Sequence, residues 1–212
     1  MTEQAVRSQV AETRGGPSFP VLTLKTVIVH TITYFVAGIL AYTLGGYEKT
    51  FSQPPLSYLM RPTSDPLVMA GPLFQPVRGV IFASALYPLR SVLFAERRGW
   101  LILWWLLLAL GVLSTFGPSP GSVEGMIYTT IPPLKQILGL WEVLLQSLLF
   151  SGILFYWVNH PEKRWLSWTL GIAFSIVIIL PLLGLLVGGT NGPAKRLGSS
   201  RAILPITVAW QL

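Results

Sequence analysis

The chain has 212 residues, 52% of them hydrophobic and only 11% charged, with a formal net charge of +7 and no cysteine. A soluble domain has about 25% charged residues, so the composition fits a polytopic membrane protein instead. The basic residues fall between apolar runs and not on one soluble face, which argues against a nucleic-acid partner, and the missing cysteines exclude disulfides, thiolate metal sites and a cysteine nucleophile.

Residues 1–20 are polar, with Pro17 and Pro20, and carry Glu3 and Glu12. They are too polar for a cleaved signal peptide and are expected to form a cytoplasmic tail. The first span is expected over about 21–44. Thr26 to Tyr47 is free of fixed charge; Lys25 can reach back to the interface, and His30 lies about 8 Å further along the axis. Gly45 and Gly46 end this helix.

Tyr47–Pro76 holds Pro54, Pro55, Pro62, Pro66, Pro72 and Pro76 among Phe, Tyr, Leu and Met side chains, a pattern expected of an ordered loop packed on the bundle mouth. The second span, about 76–95, has only Gly79–Leu89 free of charge, between Arg78 and Arg90. Twelve residues separate these arginines by about 18 Å. Both guanidinium groups are therefore expected to snorkel to opposite rims, with Pro88 kinking the helix.

Gly99 to Val123 contains no charge. A helix needs about 20 apolar residues to cross a hydrocarbon core, and lipid offers the backbone no hydrogen-bond partner. A third span is therefore expected over about 100–116, with Trp100, Trp104 and Trp105 at the headgroup level behind Arg97 and Arg98. The Gly/Pro-rich loop Gly117–Pro133 separates it from a fourth span, about 137–158, which carries Glu142. After the turn His160–Arg164 comes a fifth, about 165–187, with Trp165 and Trp168 at its interface. Residues 188–212 form a Gly/Pro/Ser-rich basic tail whose apolar end, Ala202–Leu212, is too short to cross.

The sequence thus points to an all-α membrane protein, a polytopic bundle of about five transmembrane helices in the cell membrane with a cytoplasmic N-terminus. Arg7, Arg14, Lys25, Arg90, Arg97, Arg98, Lys163 and Arg164 would lie inside. Lys49, Arg61, Arg78 and Lys135 would lie outside, joined by Lys195, Arg196 and Arg201 of the tail. The short turns at Glu96–Arg98 and Glu162–Arg164 decide the orientation, because short loops dominate the positive-inside rule.

Charge within a span is expensive and normally faces the bundle interior or a wet cavity. Arg78, Glu124 and Glu142 are therefore the candidate ligand-binding residues near the outer mouth. Arg78 and Glu142, at similar depth from their helix ends, are expected to form an ion pair whose leading role is structural. Glu124 sits in a glycine-bounded turn, Gly121–Gly125, where backbone amides can approach a ligand. His30 and His160 are the only histidines; a metal or haem normally needs convergent ligands, so no metal site and no particular cofactor is assigned.

There is no Walker A, H-E-x-x-H, G-x-S-x-G or dinucleotide motif, and no catalytic residue is assigned. The leading reading is a non-enzymatic membrane subunit, or a small-molecule- or lipid-binding component of a larger complex. Its partners would be the lipid bilayer and other membrane subunits or a second copy. The alternatives are a transporter or channel-like component with an outer-mouth polar site, and a membrane-embedded enzyme using Glu124 or Glu142 as acid or base on a lipid or lipid-linked substrate.

Overall fold

A computed structural model of the chain describes residues 16–190. The expected N-terminal tail up to Gly15, and the tail from Asn191 with its apolar end, lie outside the described residues. Every regular element among these residues is helical. In chain order they are α1 (Phe19–Gly45), α2 (Tyr47–Phe51), a 3-10 turn (Leu56–Tyr58), α3 (Pro66–Met69) and α4 (Gly71–Leu86). A 3-10 turn (Tyr87–Leu89) leads into α5 (Arg90–Ala95), followed by α6 (Gly99–Leu108), a π turn (Ala109–Leu113), α7 (Val123–Tyr128), α8 (Pro133–Asn159) and α9 (Arg164–Thr190).

Four helices are long and apolar enough to cross a membrane: α1, the kinked unit Gly71–Ala95, α8 and α9. The expected third span, 100–116, is not among them. It consists of ten α-helical residues and a five-residue π turn, about 22 Å in all against a core of about 30 Å. The chain nevertheless changes ends here, because irregular backbone completes the passage. A wide turn is closed by the Ser114 N–H donating to Ala109 O at 2.9 Å, and the segment Ser114–Pro132 then runs to the start of α8. Such backbone is tolerated at membrane depth only where protein covers it.

The register between helices places everything else. Val27 lies against Gly79, Gly16 against Arg90, and His30 against Gln75, so α1 and the Gly71–Ala95 unit run antiparallel in one register. At Gly79 a Cβ would sit 2.6 Å from the Val27 Cα; glycine lets the two backbones approach this closely. The same register sets Gly71 opposite Tyr34 and Phe35. The second span therefore begins at Gly71, not Pro76, and starts roughly 15 Å short of the Gly45 end of α1. The segment between fills that gap: Tyr47, Phe51 and Ala70 are buried, the first two against Ala41 with Trp141 beside them. The loop expected to pack on the bundle mouth does so through these three residues, while Tyr58, Leu59 and Leu67 stay exposed.

Helix α8 is antiparallel to α1 as well. The Lys25 ammonium donates to Trp157 O at 2.7 Å, and His30 meets Phe150 edge-on at 5.9 Å. The main core gathers Leu22, Val29, Leu93, Leu103, Leu154 and Trp157 towards the Phe19 end. The outward faces of α4 and α9, including Val77, Ile81, Ile172 and Leu183, stay exposed, as lipid-facing surfaces do.

Candidate functional site

Above the core the bundle does not close. A cavity of about 120 Å³ lies between α1, α4, α6 and α8, with Pro120 of the irregular segment at one end. On α8 its wall is a stripe at three- and four-residue spacing: Gln136, Gly139, Val143, Gln146 and Phe150, one face of a helix. Leu107, Gly111 and Val112 form the opposite wall, where the π turn displaces the helix. A Cβ added at Gly111 would meet only open space. The polar lining is His30, Arg78, Gln136, Gln146 and Ser147; no carboxylate lines the cavity. A space of this size and polarity holds several waters or one small molecule.

Arg78 and His30 are set by one amide. Gln75 is 4% exposed; its Nε2 donates to Gly71 O at 3.1 Å, and its Oε1 accepts from the Arg78 guanidinium at 3.5 Å. That oxygen also lies 3.2 Å from His30 Nε2. An oxygen cannot donate, so Nε2 of His30 carries the proton. The imidazole is wedged edge-on to Phe82, centroids 4.8 Å apart, and the Arg78 guanidinium lies 5.9 Å from the same ring. Side chains on a helix lean towards its N-terminus, which aims Arg78 up into the cavity. Among the described residues no carboxylate lies within ion-pairing distance of Arg78.

The upper end is closed by Gln136. Its Oε1 accepts from the Gly121 N–H at 2.9 Å, and its Nε2 donates to Ile131 O at 2.7 Å and to Gly125 O and Thr129 Oγ1 at 3.2 Å. Ser122 caps α7, accepting from the Gly125 N–H at 2.9 Å. Gly125 is required here, since a Cβ would fall 1.8 Å from Ser119 O. A second, wider cavity of about 490 Å³ lies outside this latch, lined by Tyr47, Phe51 and Trp141 with Lys49 and Lys135 at its rim. The two cavities share Pro120, Gln136 and Gly139.

The expected site residues separate. Arg78 lines the inner cavity, but deep in the bundle and not at an outer rim. Glu142 is fully buried and accepts a hydrogen bond from the Tyr47 phenol. The expected Arg78–Glu142 pair is thus replaced by different partners for each. The register explains why: Arg78 stands opposite Ile28 and Glu142 opposite Gly38–Leu40, roughly 16 Å of helix rise apart. Glu124 is exposed on α7 and lines neither cavity. His160 Nδ1 donates to Tyr156 O at 2.8 Å, and the imidazole stacks on the Tyr156 ring, about 14 Å of rise below His30.

Sequence reasoning weighed charges and histidines and so missed Gln75, Gln136 and Gln146. The usable signal was an uncharged amide inside an apolar helix, which must find partners or water. Compared with known protein families, curated proteins and solved structures, the chain matches none.

Proposed function

We propose that the chain is a non-enzymatic integral protein of the cell membrane that binds a small molecule in the inner cavity, as a subunit of a larger membrane assembly or of a homo-oligomer. Its N-terminus is cytoplasmic, on the strength of the basic turns at Arg97–Arg98 and Lys163–Arg164. One observation carries the reading: a mostly apolar cavity with His30, Arg78, Gln146 and Ser147 in its wall stays open in the bundle, where Gly111 and Gly139 stand in place of larger apolar side chains that would have filled it. Packed interiors rarely leave such voids, and one with several polar groups in its wall is normally occupied by water or ligand. The shared wall with the outer cavity also supports the transporter reading, with Gln136 between two compartments.

The test is native mass spectrometry of the full chain after gentle detergent extraction, with an absorbance spectrum of the same sample. A bound small-molecule mass is expected on the wild type and is expected to be lost in Gly111→Leu, which fills the cavity. Identical adducts on both proteins would place the molecule elsewhere and overturn the reading.

A further inference from the structure

We infer that the inner cavity takes a small organic monoanion, its charged group seated on Arg78 and its apolar body between Phe82 and Phe150; this rests on the cavity being a binding site.

The argument is one of charge, shape and size. The cavity presents a guanidinium, an imidazole, two amides and a hydroxyl, and no carboxylate. Among the described residues no carboxylate pairs with Arg78: its neighbours are the Gln75 oxygen, the face of Phe82 and the phenol of Tyr34, which is neutral at ordinary pH. A cation withdrawn from bulk water towards a low-dielectric interior attracts an anion strongly, and the planar guanidinium fork matches a carboxylate in two parallel hydrogen bonds. Gln75 fixes that fork from behind by accepting from one nitrogen. A cation would meet Arg78 unopposed, and a neutral molecule would leave its charge uncompensated.

Around this head the walls are apolar. Phe82 and Phe150 have ring centroids 5.9 Å apart, and Leu107 and Val112 face them across the cavity. The volume of about 120 Å³ is close to the size of engineered cavities that hold benzene. The occupant is therefore a flat or short-chain carboxylate, not a whole phospholipid.

Benzoate and benzamide are nearly isosteric and differ in charge at neutral pH, so they separate this inference from the reading beneath it. Binding of each is measured by thermal shift and calorimetry on the full chain in detergent, with wild type, Arg78→Gln, Arg78→Lys and Gly111→Leu. Benzoate is expected to bind wild type at least tenfold more tightly than benzamide. Arg78→Gln should remove that preference, Arg78→Lys should keep part of it, and Gly111→Leu should abolish binding of both. Equal binding of the two probes to wild type overturns the anion inference and leaves the cavity reading standing. Binding of neither overturns both. A benzoate preference that survives Arg78→Gln puts the anion elsewhere, such as beside Lys49 and Lys135, and also overturns the inference.

Discussion

Gln136 serves four backbone and side-chain partners from one amide, and its two N–H bonds are shared among three acceptors. It is 3% exposed, so none of those partners has bulk water as a substitute. Leucine at this position keeps the volume and removes every hydrogen bond. Each buried group left unpaired costs about 1–3 kcal/mol, so Gln136→Leu is expected to lower the unfolding transition by several degrees. It should also raise amide hydrogen exchange across Gly121–Ile131 while leaving the α1–α4 contact protected. Unchanged exchange in that segment would show that the latch is not what holds it. Glu142 obeys the same rule in a different place: its buried carboxylate is tied to Tyr47, which anchors the mouth segment to α8.

At the level of elements, the close pass of α4 over α1 depends on Gly79. Overpacking a close contact costs about 1–3 kcal/mol, and a Cβ here meets backbone, which cannot rotate away. Gly79→Ala is expected to destabilise the protein and to reduce the His30–Gln75 contact three to four residues along, read as lost probe binding alongside a lower transition temperature. Gly111→Ala, facing open space, should leave stability nearly unchanged. In the mouth segment, outside the long apolar helices, α3 is capped by Asp65. The Leu67 N–H donating to its carboxylate at 2.8 Å, reinforced by Arg61 at 3.0 Å, holds the carboxyl below the usual carboxylate range. A depressed folded-state pKa gives stabilisation that is full above the unfolded value and lost as pH falls through the folded one. Proteolytic sensitivity of Arg61–Met69 should therefore be flat near neutrality and rise only in acid, and Asp65→Ala should remove the acid-dependent rise.

The long apolar helices were legible because length and hydropathy suffice to specify them. Where α4 starts was not, since composition fixes a helix's length but not its register against α1, and that register separates Arg78 from Glu142. The shortened third passage was also hidden: nothing in Leu106–Val112 except Gly111 marks a π turn. The cavity itself arises from glycines and glutamines that read as ordinary helix residues.

Over the whole molecule, the decisive question is how many times the chain changes sides. Four helices meet the length of a membrane, and four crossings alone, with α6 returning to its own side, would put the Glu96 and Glu162 turns on opposite faces. The helix register shows which ends of the bundle the chain joins. Gly99 packs near Phe155 while α8 begins at Pro133 beside the buried Gln136 latch, so α6 and the segment after it must climb from one end of the bundle to the other. Glu96 and Glu162 then share a face, and Gln53 and Tyr128 share the opposite one; all four are exposed. The chain has no cysteine, so single cysteines at these positions can be read without background. In sealed vesicles a membrane-impermeant maleimide is expected to label Glu96→Cys and Glu162→Cys from the same side, and Gln53→Cys and Tyr128→Cys only from the other. On the proposed orientation, with a cytoplasmic N-terminus, the first pair should be the one protected in intact cells. Opposite labelling of Glu96→Cys and Glu162→Cys would mean that the short helix and its loop do not complete a passage, and would remove the wall that encloses the inner cavity.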